Sequence, residues 1–160
     1  MLGGENAGSV AVRDHSTWYR ELFGPSVTAG ILRPADLAGY RNAPVYIRRS
    51  MHTPPSIEAV RELMPALFAL LEQEAEASVR VVLGHFMFVY IHPYMDGNGR
   101  IGRFMMNLML ASGGYPWTIV PLERRADYMA ALERASVEGD IRPFATFLAE
   151  LARGSAGTSN

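Results

Sequence analysis

The chain of 160 residues contains no cysteine. This absence excludes disulfide bridges, thiolate nucleophiles and zinc sites built on cysteine. Its 15 basic residues are balanced by 16 acidic ones, which gives a formal net charge of −1, and no basic run stands out. Proteins that bind nucleic acid usually carry a basic patch. We therefore expect no nucleic acid partner.

Long hydrophobic runs are also missing. The longest, VVLGHFMFVYI at residues 81–91, is too short to span a bilayer and contains a histidine. The first 16 residues lack the basic and apolar regions of a signal peptide. We therefore expect a soluble, cytoplasmic protein without a membrane partner. The length suits a single domain, which we place at residues 13–152 between flexible ends at 1–12 and 153–160.

Helical signals dominate what is present. Ser56 follows two prolines and suits a helix N-cap, whereas Pro65 inside the same pattern predicts a kink or a break. Gly24-Pro25 predicts the end of a short first helix. Further helices are expected at about 77–91, 100–111, 124–136 and 141–151. The one strand signal, PVYIRRSMH at residues 44–52, predicts a short β-hairpin. The fold class is therefore mainly α with one short β-hairpin.

The stretch HPYMDGNGRIGR, residues 92–103, allows two interpretations. Its glycines at 97, 99 and 102 spell G-x-G-x-x-G, the dinucleotide-binding fingerprint, and Glu123 follows at about the distance of a ribose-binding acid. However, five residues including a proline separate the apolar run from the first glycine. The chain also lacks the alternating strands and helices of a parallel sheet. The sequence therefore disfavours dinucleotide binding.

The charged residues of the stretch favour phosphate chemistry instead. Gly97 and Gly99 can adopt positive φ and form an anion-binding nest that opens onto a helix N-terminus. Arg100 and Arg103 are three residues apart, so they share a helix face and can bind a polyphosphate. The sequence therefore predicts a polyphosphate site at this turn.

Three further side chains complete the predicted site. Asp96 can hold Mg²⁺, which usually takes one or two carboxylates together with phosphate oxygens. The amide of Asn98 can donate to a phosphate oxygen. His92 stands at the mouth of the turn, where it can accept a proton from an incoming hydroxyl group. A base, a metal ligand, a nest and two cations together suit in-line transfer from a nucleoside triphosphate.

The same stretch resembles the H-P-F-x-[DE]-G-N-G-R-x-x-R signature of Fic-domain proteins, with Tyr94 in place of the usual phenylalanine. Further stretches that look like Fic-domain neighbours are AGYR (38–41), the predicted hairpin, HTPP (52–55), GGYP (113–116) and GDIRPF (139–144). The resemblance covers about residues 15–152. It implies a Fic-type helical bundle that transfers AMP from Mg-ATP to a hydroxyl group of a target protein.

By this resemblance His92 is the general base, Asp96 the Mg²⁺ ligand, and Arg103 a γ-phosphate ligand. Phosphate and nucleotide contacts are implied for Gly97, Asn98, Gly99, Arg100, Arg103, Tyr128 and Met129, the last two in the adenine pocket. The hairpin corresponds to the family's flap, which docks a target segment through Val45, Tyr46 and Ile47. The glycine and arginine at 99–100 favour nucleotidyl transfer over the related phosphotransferases.

Several alternatives remain open from the sequence. The same site can serve another phosphate chemistry, including transfer of another nucleotide, phosphotransfer or removal of AMP, or the domain can be a non-catalytic nucleotide- or peptide-binding module. Many Fic proteins are inhibited by a helix with [ST]-x-x-x-E-[GN], whose glutamate pairs with the second arginine of the motif, here Arg103. Two near matches, ending at Glu21 and Glu150, are better explained as ordinary helical residues. If neither inhibits, the inhibitor lies on another chain, such as a partner resembling an antitoxin, or on a longer parent protein, or it is absent. Among the histidines, His85 is expected in the core and His15 at the surface.

Overall fold

The computed structural model describes residues 7–156, with side chains to residue 155. Six α-helices account for most of them: α1 Ala7–Thr28, α2 Ile57–Gln73, α3 Ala77–Ile91, α4 Asn98–Ser112, α5 Arg125–Glu133 and α6 Arg142–Ala156. Short 3₁₀ turns lie at Pro34–Leu37 and Leu122–Arg124, and a π-helical turn at Arg134–Glu138 follows α5. No strand occurs between residues 7 and 156. The mainly α fold class is therefore confirmed.

Helix α3 forms the centre of the bundle because it is apolar around most of its surface. It packs on α2, α4 and α6, and Phe88 and Ile91 are almost completely buried. Glycines let α3 and α4 approach closely. A Cβ atom on Gly102 would lie 2.8 Å from Val89 Cγ1, and one on Gly84 would lie 2.7 Å from Met109 Cε. This close packing fixes the relative position of the two helices that flank residues 92–97.

The first helix is longer than the sequence suggested. Residues 7–12 belong to α1, because Ala7 and Ala11 begin a buried stripe that recurs every four residues through His15, Tyr19 and Phe23. Pro25 lies inside α1 and does not end it at residue 23. At the other end, residues 153–156 continue α6. The outermost parts of the expected flexible ends, residues 1–6 and 157–160, lie outside the described residues.

Pro65 likewise does not interrupt α2. The helix runs from its Ser56 cap, whose hydroxyl accepts the Ala59 N–H over 3.2 Å, through to Gln73. Pro65 is exposed, while Met64 and Leu67 on either side of it are buried. Pro65 has no N–H to donate to the Arg61 carbonyl, and because Arg61 is exposed, water can bond that carbonyl instead. Packing of the buried face then outweighs the local cost of proline.

The predicted β-hairpin at residues 44–52 is wrong as a strand pair. The segment contains a turn, in which the Ser50 N–H donates to the Ile47 carbonyl over 3.1 Å, but it forms no ladder. Two of its backbone N–H groups are bound by side chains instead: that of Met51 by Glu133 and that of His52 by the Ser50 hydroxyl. We call residues 44–52 the flap loop.

No helix among the described residues is long and apolar enough to cross a membrane.

Candidate active site

The turn between α3 and α4 is fixed by its own residues. His92 is the C-cap of α3, in the left-handed region with φ 54°, and Gly97 is the N-cap of α4, with φ 80°. Between them, the Asn98 side chain accepts the Tyr94 N–H and donates to the Tyr94 carbonyl, each over 2.8 Å. Asn98 is 1% exposed. The buried Asn98 side chain therefore stabilises the turn through both its oxygen and its nitrogen.

The start of α4 presents backbone donors. The Gly97 N–H donates to its neighbour Asp96 Oδ1 over 2.6 Å, and the Arg100 N–H to the Gly97 carbonyl over 2.9 Å. The N–H groups of Asn98 and Gly99 are the next two in line, and the first N–H groups of a helix have no intrahelical acceptor. They are suited to bind an anion, and the helix dipole favours one there.

The two glycines of the nest have different roles. Gly97 needs positive φ, and a Cβ atom on it would lie 2.1 Å from the Phe23 ring. The expectation of positive φ at Gly99 is wrong, because Gly99 already belongs to α4. A Cβ there would meet only Arg103 Nη1, at 3.4 Å. Gly99 therefore matters for the open space beside its N–H group and not for its backbone conformation.

His92 is held in the tautomer that a general base requires. Its Nδ1 lies 3.1 Å from the Val89 carbonyl, and since a carbonyl can only accept, Nδ1 carries the proton. In the neutral ring Nε2 then has the free lone pair. Burial lowers the pKa of His92, the Val89 hydrogen bond opposes this, and the charges of Arg41 and His52 lower it further. At neutral pH the ring is therefore uncharged.

The turn lines a cavity of about 390 Å³. Among the sequence-predicted site residues, those that line it are Ile47, His92, Asp96, Gly97, Asn98, Gly99, Arg100, Arg103, Tyr128 and Met129. Val45 and Tyr46 do not, and Tyr46 is 88% exposed. Lining residues that sequence reasoning did not select include Arg49, Ser50, His52, Arg125, Glu133 and Ser136.

Positive charge prevails around this cavity. Arginines at positions 49, 100, 103 and 125 line it, against two carboxylates, Asp96 and Glu133. The Arg100 guanidinium lies 5.4 Å above the Phe23 ring, an arrangement that orients the cation. Arg103, one turn further along α4, is half-buried and lines the same cavity. The cavity therefore suits an anionic ligand.

Side chains outside the motif fasten the flap loop beside the cavity. The Glu133 carboxylate accepts from the Ser50 hydroxyl over 2.5 Å and from the Met51 N–H over 2.7 Å. The His52 Nε2 donates to the Tyr90 carbonyl of α3 over 2.9 Å. Three residues before the loop, Arg41 donates to the backbone carbonyls of His92 and Pro93 in the turn. No sequence pattern singled out Glu133, and Arg41 stood out only as part of the AGYR stretch.

The residues present fit a magnesium ion bound together with its nucleotide. The described residues contain no group of three or more histidine, aspartate or glutamate side chains that could hold a metal alone. Asp96 is a single exposed carboxylate at the cavity. Mg²⁺ commonly binds through one carboxylate, substrate phosphates and water. Asp96 is therefore the residue suited to hold it.

Neither glutamate of the two near matches to the inhibitory pattern pairs with Arg103. Glu150 lies 3.1 Å from Arg124 on the surface. Glu21 is exposed on α1, two residues from both Tyr19 and Phe23, and therefore points away from the face that packs on the turn. Both glutamates are explained as ordinary surface residues of their helices.

The sequence of this chain is similar to those of known proteins. A sequence profile of the Fic/DOC family matches residues 13–110. The chain is 36% identical over 121 residues to a protein adenylyltransferase of Caenorhabditis elegans, which covers 73% of this chain and 23% of that protein. It is 38% identical over 125 residues to the protein adenylyltransferase Fic of Drosophila grimshawi, over 76% of this chain and 25% of the relative. The chain thus spans about a quarter of these relatives.

Solved structures show the same fold. The chain resembles Fic-1 of Caenorhabditis elegans with a TM-score of 0.74 and 25% identity, over 97% of this chain and 52% of the other. It resembles a Fic domain containing signaling protein from Bacteroides thetaiotaomicron with a TM-score of 0.67 and 27% identity, over 72% of this chain and 51% of the other.

Proposed function

The chain belongs to the Fic/DOC family, and from that premise we propose that it transfers AMP from Mg-ATP to a serine, threonine or tyrosine hydroxyl group of a target protein. One observation carries the proposal. A histidine with its Nε2 lone pair free lines the same cavity as an anion-binding helix N-terminus and a surplus of arginines. A pure binding module has no use for such a base.

The proposed reaction assigns one task to each group. Nε2 of His92 accepts the proton of the target hydroxyl as its oxygen attacks the α-phosphorus of ATP. The bond from the α-phosphorus to the bridging oxygen breaks, and pyrophosphate leaves. The N–H groups of Asn98 and Gly99, with Arg100 and Arg103, stabilise the negative charge of the phosphates. Asp96 would hold magnesium, which neutralises part of the triphosphate charge when bound.

The flap loop is proposed to dock the target segment. It forms no strand with any other part of residues 7–156, so an extended peptide can pair along it through main-chain hydrogen bonds. Ile47 lines the cavity, and with Val45 and Tyr46 it forms the proposed docking surface. Such pairing places a hydroxyl-bearing side chain beside His92. The adenine end of the site is assigned to Met129, which lines the cavity and is 41% exposed.

The test uses ATP labelled at the α-phosphate and, in parallel, at the γ-phosphate. Each is incubated with Mg²⁺, the protein and a cell lysate. We expect protein-bound label from the α position only, and its loss in His92→Ala. His52→Ala is the comparison variant, since His52 lines the same cavity but donates its Nε2 proton to Tyr90; because it loosens the flap loop, it should weaken binding of the target but not abolish transfer.

Other outcomes would contradict the proposal in different ways. Label from the γ position alone means phosphotransfer. Retention of transfer in His92→Ala, with loss in His52→Ala, means that the wrong histidine has been assigned as the base. Tight ATP binding that is unchanged in His92→Ala, without label in any sample, favours a binding module.

A further inference from the structure

Two residues other than glycine have positive φ between residues 7 and 156: His92 at 54° and Arg49 at 63°. Both line the same cavity. This conformation brings the Cβ atom of an ordinary residue too close to its own backbone, so it costs free energy. Residues strained in this way cluster at active sites and ligand-binding segments. His92 has a task there as the proposed base, whereas the proposed reaction assigns none to Arg49.

Arg49 is the third residue of a tight turn in the flap loop. The Ser50 N–H donates to the Ile47 carbonyl over 3.1 Å, which closes the turn around Arg48 and Arg49. Arg48 is not among the residues with positive φ. A turn with positive φ only at its third residue usually has glycine there, because glycine has no Cβ atom. The arginine is therefore better explained by what its side chain does than by the needs of the turn.

The charge of Arg49 is not balanced by a carboxylate of the protein. None of the four arginines that line the cavity forms an ion pair within the described part of the chain. Five arginines elsewhere do: Arg13, Arg33, Arg124, Arg134 and Arg142. The Glu133 carboxylate, which also lines the cavity, is bound by Ser50 and Met51. A guanidinium binds phosphate through charge-assisted hydrogen bonds, often two at once. Arg49 is therefore suited to bind an anionic ligand in the cavity.

The geometry points to Arg49 as a further phosphate-binding residue, which lies on the flap loop and contacts the triphosphate of the nucleotide together with the arginines of α4. The inference rests on the proposed function, which places ATP in this cavity, and it adds an order of binding. Arg49 lies two residues after Ile47, the last of the proposed docking residues, so a phosphate bound to Arg49 also restrains the loop. ATP then binds first and prepares the flap loop for the target.

The test compares three variants of the flap loop. Arg49→Gln removes the charge, and Arg49→Gly also relieves the strain of positive φ. Arg48→Gln is the matched control, because Arg48 is the exposed neighbour of Arg49 and does not line the cavity. Calorimetry measures the affinity for ATP and for inorganic tripolyphosphate, each with Mg²⁺. Melting temperatures are measured without ligand, and hydrogen exchange of the Ser50 and Met51 amides is followed with and without ATP.

Both affinities should fall about tenfold in Arg49→Gln and Arg49→Gly, as expected for the loss of a charge-assisted contact. In Arg48→Gln they should fall less than about twofold, since salt screens an exposed charge outside the cavity. Arg49→Gly should melt at the temperature of the unmutated protein or above it, because glycine adopts positive φ without strain. ATP should slow exchange of the two amides in the unmutated protein and in Arg48→Gln, but not in the Arg49 variants.

Three outcomes would overturn the inference. Unchanged affinities in both Arg49 variants would exclude a phosphate contact, with a raised KM for the target then meaning that Arg49 recognises an acidic group of the target protein. A loss for ATP without a loss for tripolyphosphate would place the contact on the nucleoside. Losses accompanied by a lower melting temperature in both variants would mean that the arginine serves the fold. The expected affinities in a protein that transfers no labelled AMP would leave the phosphate contact intact and contradict the proposed function.

Discussion

Arg41 Nε donates a hydrogen bond to the backbone carbonyl of His92 over 2.8 Å. The Arg41 N–H also donates to the Pro93 carbonyl over 2.7 Å, and its Nη2 reaches the Pro55 carbonyl beyond the flap loop. Arg41 is 3% exposed. A single buried guanidinium thus joins the backbone of the proposed base to the segment that carries the proposed docking loop.

Arg41→Lys should therefore impair both stability and catalysis. A lysine cannot bond to both carbonyls in the geometry of the guanidinium, and hydrogen bonds to a charged group contribute about 1.5–3 kcal/mol each. We expect a loss of about 2–4 kcal/mol in urea unfolding. Because misplacement of a base by about 1 Å can cost 10²-fold, kcat should fall about 10- to 100-fold, with little change in KM for ATP. Exposed Arg48 provides the control, Arg48→Lys. An unchanged kcat at reduced stability would limit Arg41 to a structural role.

The rate of AMP transfer should depend on pH through His92. A general base must be unprotonated, so the rate falls as pH falls through its pKa. Because burial lowers the pKa of His92 from 6.5, the acidic limb of kcat/KM should have its midpoint below pH 6.5. Initial rates between pH 4.5 and 8 check this, with Tm followed over the same range. A midpoint above pH 6.5 would contradict the burial of the ring.

Stability should also decline in acid. Burial lowers the pKa of three histidines, His15, His85 and His92, below 6.5, with His85 at about 4. Between the folded and unfolded pKa values the unfolded chain binds more protons, so stability rises with pH there. The contribution is complete above pH 6.5 and is lost as pH falls towards 4. Chemical unfolding at pH 7.5, 6 and 5 should show this decline. The decline should be smaller in Tyr40→Phe, because this variant loses the Tyr40 hydroxyl that lies 3.1 Å from His15 Nε2 and helps to keep that ring uncharged.

The two nest glycines should respond differently to alanine. Gly97→Ala meets the Phe23 ring at 2.1 Å and keeps an unfavourable positive φ, so we expect a loss of about 2–4 kcal/mol in unfolding free energy. Gly99→Ala has no such conflict and should retain or slightly raise stability. Its methyl group stands beside the proposed anion site, however, so ATP affinity should fall several-fold. Calorimetric binding and urea unfolding of both variants separate the two effects. Similar stabilities would refute the distinction.

Glu133→Gln should loosen the flap loop without changing the nucleotide site. The amide keeps the shape of the carboxylate but weakens the bonds to Ser50 and Met51, since hydrogen bonds to charged acceptors are roughly twice as strong as neutral ones. We expect KM for the protein target to rise several-fold, while ATP affinity stays the same or rises slightly because a negative charge is removed from the cavity. Glu138→Gln is the control, because Glu138 is exposed and paired with Arg134 nearby. A change in ATP affinity alone would contradict a flap-specific role.

The sequence predicted the parts of the fold that rest on local patterns. Helix α3 occupies residues 77–91, as its apolar run indicated, and Ser56 caps α2. The errors arise where contacts between distant residues override local signals. Pro25 does not end α1, and His15, expected at the surface, is 7% exposed. His15 belongs to the buried stripe of α1 and packs on Phe68, with ring centroids 4.6 Å apart.

The same distinction applies to the site. The motif could be read from the sequence because its residues are adjacent and their chemical types are informative. Arg41 and Glu133 could not, because each acts on residues far along the chain: 51 residues separate Arg41 from His92, and 82 separate Met51 from Glu133. The sequence predicts that the Asn98 amide binds a phosphate, whereas in the structure this side chain bonds the Tyr94 backbone inside the turn.

The flap loop is held just before its first residue and near its last residues, and none of these attachments uses the side chains of residues 45–47. Arg41 contacts the Ala43 carbonyl and Glu133 the Met51 N–H, while the middle of the loop, at Tyr46, is almost fully exposed. The attachment therefore does not depend on which side chains residues 45–47 carry. Residues 45–47 can therefore be substituted, in evolution or in the laboratory, without changing the contacts that hold the loop. Variant libraries designed to change the target protein should begin with residues 45–47.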